Sequence, residues 1–594
     1  MTQIKASVIT ASDGAADDEF SYSVSLSGDS AIVGAVGDDD SGDYSGSAYY
    51  FKGLDSAGAT ATENVKLTAL GGAIGDYFGS SVSLFGDSAL VGAYGSVDSR
   101  GTAYYFKDLD SAGATATQNV TLTALGGDPL DKFGASVSLS GDSALVGAWG
   151  DDDTINNSGS AYYYKDLGSA GATATQDVKL KALGGGVADD YFGLSVSLSG
   201  DSALVGAYGD DDTRSNSGAA YYYKDLDSAG ATATQNVKLK ASDRDTDDYF
   251  GTSVSLFGDN ALIGAYGDDS NGLTSGSAYY YKDLDLAGAT ATQDVKLTAS
   301  DGSAGDYFGL SVSLSGDSAL VGARGDNDNG SDSGSAYYYM GLDSAGVWVK
   351  QNVKLTASDG VAGDAFGYSV SLSGDNFVIG ASYANSNTGK AYTGTISSFT
   401  TLDAGSASRT ISGISFVSQT DWIVGSTTSG NAVTLSSGDS ASVTTSGMAV
   451  YIGRNAGSDN NTLNIAGTLD ATDVYIGSID GNTGNVLQFE STAVNNAANI
   501  YLASRNTLSI YGDYTAADSL TAYLTSNGTT LYAQDVGASW SAIDATNYDT
   551  LLSVSIDGSY TLLTAAVPEP ATYTLFGGLG ALGLAIYRRR KAGR

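Results

Sequence analysis

The residues best equipped for chemistry are carboxylates grouped in short acidic runs. Asp38-Asp39-Asp40, Asp151-Asp152-Asp153, Asp210-Asp211-Asp212, Asp268-Asp269 and Asp326-Asn327-Asp328 occupy one position of a recurring pattern. Clustered carboxylates beside Asn and Ser oxygens suit hard Ca²⁺, which takes about 6–8 oxygen ligands. On composition, Asp38, Asp40, Asp151, Asp153, Asp210, Asp212, Asp268, Asp326 and Asp328 are candidate calcium ligands. The competing expectation is a solvated acidic rim that keeps the protein soluble. Arg324-Gly325-Asp326 spells RGD, but it fills the slot of Tyr208-Gly209-Asp210 in another copy and reads as drift of the repeat.

Tyrosines form a second set, in runs at Tyr162–Tyr164, Tyr221–Tyr223, Tyr279–Tyr281 and Tyr337–Tyr339. In a strand the middle ring faces opposite to its neighbours. Packing is the expected role of most of them, with some left to face solvent and stack on sugar rings. A buried hydroxyl then needs a hydrogen-bond partner.

Composition removes other chemistries. The 594 residues include no Cys and no His, which excludes disulfides, thiol nucleophiles, imidazole bases and Cys/His zinc sites. A net charge of −39 leaves no basic face for phosphates, so nucleic acid is not an expected partner. Neither a GxSxG elbow with a base nor a phosphate-cradling loop is found, and no pair of carboxylates stands out for glycoside hydrolysis. The expectation is a protein without catalytic activity.

These side chains are carried by a repeat. Its Phe recurs at Phe20, Phe78, Phe133, Phe192, Phe250, Phe308 and Phe366, in steps of 55 to 59 residues. In the copy from Phe192, Ser195-Val196-Ser197-Leu198 alternates as a half-buried strand, and Gly200-Asp201 is a hairpin turn. Ala203–Ala207 reads as a strand covered on both faces, Ala219–Tyr223 as a third strand and Val237–Ala241 as a fourth. The acidic segment 209–218 and the DLDSAGATATQN segment read as loops. Four short antiparallel strands per unit describe a propeller blade. Val8–Gly14 matches Lys354–Gly360, the fourth strand of a blade, while the last copy ends after its third strand. The N-terminal strand is therefore expected to complete blade seven and remove two open edges. An open solenoid is the alternative.

The FG…VGA pattern followed by GSAYYY resembles FG-GAP repeats, the blades of integrin-α-type propellers, in a bacterial form with SGD turns. The likeness covers about residues 1–395. Two departures stand out: Ser21 follows Phe20, and Ala207 and Ala323 lack the following proline. The family's calcium motif lies between strands one and two, where this chain has only a Gly-Asp turn.

From 396 to 566 the chain is Ser/Thr/Gly/Asn-rich. Val450-Tyr451-Ile452 recurs as Val474-Tyr475-Ile476 and Ile500-Tyr501-Leu502, interleaved with Leu463-Asn464-Ile465, Leu487-Gln488-Phe489 and Leu508-Ser509-Ile510. Such a period fits a parallel β-helix, resembling β-solenoids of bacterial surface proteins, with a β-sandwich as the alternative. Either would serve as a stalk.

Residues 567–594 open with Val567-Pro568-Glu569-Pro570, continue through the uncharged segment 571–587 and reach Arg588-Arg589-Arg590-Lys591. The uncharged stretch is expected to form a short transmembrane helix, with its basic end at 588–594 on the cytoplasmic side. The order of Pro568, Glu569, Pro570, the span and Arg588, Arg589, Arg590 resembles the PEP-CTERM sorting signal. That resemblance implies an exosortase-type processing enzyme as partner, transient residence in the inner membrane of a Gram-negative bacterium, and delivery to the cell surface or extracellular matrix. No apolar signal-peptide region follows Met1. The chain as a whole is expected to be all-β: a seven-bladed propeller at 1–395, a solenoid or sandwich at 396–566 and one C-terminal helix. Its expected role is adhesion to an envelope protein or an exopolysaccharide. A polysaccharide hydrolase or lyase and a purely structural matrix scaffold are the alternatives.

Overall fold

The computed structural model describes residues 7–395 apart from 55–59, 62, 112, 114, 117, 153–154, 170, 172, 183–186, 213, 287, 289, 345–352 and 358. Beyond 400 it describes strands between Thr401–Leu402 and Tyr560–Ala565. Residues 566–594 lie outside the described residues.

Blade 4 shows how the repeat folds. Val196–Ser199 turns through Gly200 and Asp201 into Ser202–Ala207, with Ser199 opposite Ser202. Ala219–Tyr223 pairs antiparallel with the second strand, and Val237–Leu239 with the third. Seven such units form the ring, their first strands lying side by side around the axis. The polar half of each first strand serves this packing. Leu198 N–H donates to Ser138 Oγ of the preceding blade at 2.9 Å, and Leu256 N–H to Ser197 Oγ at 2.9 Å. The free edge of each inner strand thus finds its acceptor in the neighbouring blade.

The two motif glycines are contact points. Gly193, after Phe192, has φ +90°, and a Cβ there would stand 2.3 Å from the Ser160 carbonyl of the preceding blade. A Cβ on Gly206 would stand 2.0 Å from the Gly251 carbonyl of the next blade. Glycine permits both approaches without displacing the neighbouring carbonyl. Blade 1 replaces the first by Ser21 at φ 73°, and its Oγ accepts from Ala381 N–H and donates to the Lys390 carbonyl across the closing seam.

Closure is as expected. Ser7–Ile9 pairs antiparallel with the third strand of blade 7, Ser7 opposite Thr393 and Ile9 opposite Ala391. Leu26 N–H then reaches Ser371 Oγ at 3.0 Å.

Two expectations require correction. The DLDSAGATATQN segment is more than a loop. After a 3₁₀ turn at Leu226–Ser228, Thr232–Thr234 forms a strand parallel to Val178–Lys181, the outermost strand of the preceding blade. Thr-Ala-Thr alternation suffices to pair three residues, and the pairing covers an otherwise open edge. Nor do the tyrosine runs reach solvent: Tyr162, Tyr163 and Tyr164 are all buried. Each hydroxyl has a different destination. Tyr162 donates to Asp151 of its own blade, Tyr163 to Asp227 of the next at 2.7 Å, and Tyr164 to the Thr123 carbonyl of the previous one at 2.9 Å. A buried hydroxyl without a partner costs about 1–3 kcal/mol, so this run fastens three blades.

Beyond the propeller, the two recurring series pair with themselves. Val450, Tyr451 and Ile452 lie parallel and in register with Val474, Tyr475 and Ile476, and these with Ile500, Tyr501 and Leu502. Leu463, Leu487 and Leu508 align likewise. Ile414–Ser418 pairs antiparallel with Val353–Ala357, so the sheet of blade 6 continues into this region. Among the described residues no helix is long and apolar enough to cross a membrane. The expected span at 571–587 lies outside them.

Candidate binding face

The acidic runs join strands two and three on one face of the ring, and their first and later members have different surroundings. Asp38, Asp151, Asp210, Asp268 and Asp326 are buried, which corrects the reading of these runs as wholly solvated. Each meets a lysine from the fourth strand of its blade. Asp38 pairs with Lys66 at 3.0 Å, Asp151 with Lys179 at 2.8 Å, Asp210 with Lys238 at 2.8 Å, Asp268 with Lys296 at 2.8 Å and Asp326 with Lys354 at 2.9 Å. The first tyrosine of the run donates to the same carboxylate, at 2.8 Å for Tyr49, Tyr279 and Tyr337. The ammonium also lies about 5 Å from that ring's centroid, as a cation–π pair.

Further carboxylates close the cage. Lys66 Nζ lies 2.7 Å from Asp13 and 2.5 Å from Asp40, and Lys354 Nζ lies 2.6 Å from both Asp301 and Asp328. Asp212 reaches Lys238 at 2.8 Å. The groups of three carboxylates spaced to hold a metal ion, Asp13/Asp38/Asp40 and Asp301/Asp326/Asp328, therefore converge on a lysine ammonium. Asp153 lies outside the described residues. Burial raises the Asp268 carboxyl, but the Lys296 and Ser270 hydrogen bonds outweigh it and bring its pKa down to about 2. Burial also opposes ionisation of Asp326 and Lys354, and their mutual charge and hydrogen bonds prevail, shifting Asp326 down and Lys354 up.

Lysine and aspartate occur together. Blade 2 has Ser96 in the aspartate position and Thr121 opposite Tyr104, and blade 7 has Ala384 and Val8 opposite Tyr392. Sequence reasoning noted the aspartates and missed the lysines. Aligning the copies on their Phe would have shown the two types lost together.

A second missed set runs from blade 3 to blade 7. One aromatic precedes the motif Phe and another follows Val-Gly-Ala, and they form a belt of half-buried rings. Tyr191 stacks on Tyr208 at 5.0 Å, Tyr208 meets Tyr249 at 5.8 Å, Tyr249 stacks on Tyr266 at 5.1 Å and Tyr266 meets Tyr307 at 6.1 Å. Trp149 extends the belt from Tyr191, and Arg324 continues it between Tyr307 and Tyr368. Arg324 is thus held between rings and Asp326 is ion-paired, so Arg324-Gly325-Asp326 does not present itself as a free peptide loop. Burial and the neighbouring tyrosines push the Tyr208 hydroxyl up to about 12, so it is neutral and can donate at physiological pH. Exposed Asp152, Asp211 and Asp269 follow Trp149, Tyr208 and Tyr266 by three residues and give the belt an acidic rim.

A buried aspartate stands two residues before every motif Phe. Asp131, Asp190, Asp248 and Asp306 each accept a backbone N–H three residues upstream, at 2.5–2.7 Å. Burial, then the nearby acidic run, raises these four carboxyls to about 6 against that hydrogen bond and the cluster lysine.

A family model described as FG-GAP repeat matches residues 5–51, 61–106, 116–164, 174–223, 233–281, 291–339 and 348–393, together more than half of the chain. A model described as PEP-CTERM protein-sorting motif matches 566–591. That match spans Pro568, Glu569, Pro570, Arg588, Arg589 and Arg590, all outside the described residues. No curated protein matches the chain.

Proposed function

Because the chain belongs to the FG-GAP repeat family and carries a PEP-CTERM protein-sorting motif, we propose that it is an exported surface or matrix protein whose propeller is a noncatalytic binding module. The sorting motif implies recognition by an exosortase-type enzyme, with 571–587 crossing the inner membrane until processing. The segment 401–565 then acts as a spacer, and its in-register parallel pairs favour a β-solenoid over a sandwich.

The observation that carries the binding role is the aromatic belt with its acidic rim. Tyr, Trp and Arg are the side chains that dominate binding hot spots, and tyrosine offers a rigid, amphipathic surface at low entropic cost. The partner is an envelope protein or a polysaccharide that tolerates or complements negative charge. A carboxyl raised to about 6 in blade after blade is a property of the repeat and does not mark one reaction centre. On this reading the acidic runs take their cation from the chain's own lysines rather than from calcium.

Fractionation of the native host tests both parts. The wild-type protein is expected outside the inner membrane with its C-terminus trimmed near Pro568–Pro570. A Tyr208→Ala/Tyr266→Ala variant is expected to be trimmed equally but released from the surface into the medium. Retention of Arg594 in the inner membrane would remove the export reading, and unchanged surface retention of the variant would remove the belt from the binding role.

A further inference from the structure

Three departures from the repeat meet around one cavity at the rim of blades 4 and 5. Arg244 stands where other copies of the Ser-Asp-Gly turn have Gly14, Gly302 and Gly360. Lys240 stands where Thr68, Thr123, Thr298 and Thr356 do, a change shared only with Lys181. Leu286 stands where Ser111, Ser169, Ser228 and Ser344 do, and it is 85% exposed. Drift in a near-identical array would scatter such changes over the ring. Here all three line a cavity of about 660 Å³ between the fourth strand of blade 4 and Lys282, Leu286, Ala291 and Asp294. That volume falls within the roughly 300–1,000 Å³ of small-molecule sites.

The cavity is also richer in cations than the surrounding protein. Lys238, Lys240, Arg244 and Lys282 line it with two carboxylates, Asp283 and Asp294, although acidic residues outnumber basic ones by 67 to 28 in the chain. Lys238 pairs with Asp210 and shares Asp212 with Lys240, Arg244 Nη1 donates to the Ala241 carbonyl at 3.3 Å, and Lys282 Nζ donates to the Asp343 carbonyl at 3.3 Å. Burial holds the Lys240 ammonium below the usual lysine range, and Arg244 pushes it the same way against Asp210. An added anion would relieve that cost. Leu286, Ala241 and Ala291 supply an apolar flank.

We infer that this cavity binds an organic oxyanion, a carboxylate or phosphate carried on a compact and partly apolar body. The Arg244 fork grips the oxyanion, Lys240 and Lys282 add point charges, and Leu286 covers the carrier. The site is distinct from the aromatic belt and stands whether or not the belt binds a partner.

The test is calorimetric titration of the full chain with digalacturonate, glucose 6-phosphate, inorganic phosphate and cellobiose. The comparison variant is Lys240→Thr/Arg244→Gly/Leu286→Ser, which installs residues the other blades already carry. Its melting temperature, expected to be unchanged, shows that the fold is kept. Digalacturonate or glucose 6-phosphate is expected to bind, identifying a carboxylate or a phosphate as the recognised group. The variant is expected to bind it at least about tenfold more weakly, as loss of charged hydrogen bonds implies. Three outcomes would overturn the inference: no binding of either organic anion, equal binding by the variant, or inorganic phosphate or cellobiose binding as tightly as the organic anions.

Discussion

Replacing Lys354 by Gln tests whether the lysine is the cation of the acidic cage. Its side chain is 1% exposed and that of Asp326 5%. Breaking a buried pair by removing one partner costs about 3–5 kcal/mol, because the remaining charge stays buried. Asp301 and Asp328, each 2.6 Å from the lost ammonium, add like-charge repulsion, which solvent partly screens. The upper half of that range, about 4 kcal/mol, is therefore expected. Unfolding entropy of about 2.1 cal/mol/K per residue, over roughly 390 propeller residues, gives about 0.8 kcal/mol/K. The variant should melt about 5 °C below the parent by scanning calorimetry. The double variant Asp326→Ser/Lys354→Thr installs the pair that blade 2 carries as Ser96 and Thr121. Removing both charges is close to neutral, so it should regain most of the loss. If Lys354→Gln melts within a degree of the parent, or the double variant falls further than the single, the cage is not held by this pair and the reasoning fails.

Three more outcomes follow from the same geometry. Millimolar Ca²⁺ should raise the melting temperature of Lys354→Gln, whose three carboxylates lose their internal cation, and leave the parent unchanged; calorimetry with and without chelator reads both. Stability should rise as pH falls from about 7 towards 4.5, because Asp131, Asp190, Asp248 and Asp306 bind protons more tightly folded, at about 6, than unfolded, at 3.8. Below about pH 3.5 it should fall again, as Asp268 and Asp326, whose folded pKa values are lowered, are forced to protonate; a melting series across pH checks both limbs. Ile9→Asp places a charge at a fully buried position of the seam strand and should cost several kcal/mol while exposing the ring to limited proteolysis near its closure.

The blades were legible because the hydrophobic period and the Gly-Asp turns are local, and because seven copies average out drift. The closing strand could be read for the same reason: Val8–Gly14 is a visible fragment of a known copy. The cage was misjudged because composition alone makes an acidic run look solvated. Lys66 is 28 residues from Asp38 and Tyr49 is 11, and antiparallel register brings all three together. The belt was missed because its stacking contacts alternate within and between blades. The short parallel strand was missed because Thr232–Thr234 has too few residues to signal a strand without its partner in the preceding blade.

The seam between Ser7–Ile9 and the third strand of blade 7 also bears on how the molecule comes to exist. This strand is synthesised before the rest of the ring and finds its partner only after nearly four hundred residues have followed it. Until then blade 7 lacks its outer strand, blade 1 lacks its neighbour, and the ring has two unsatisfied ends. Completion is therefore a late event in biogenesis, and a chain threaded through a membrane from its N-terminus would stay unlocked during passage and lock once its seventh blade arrived on the far side.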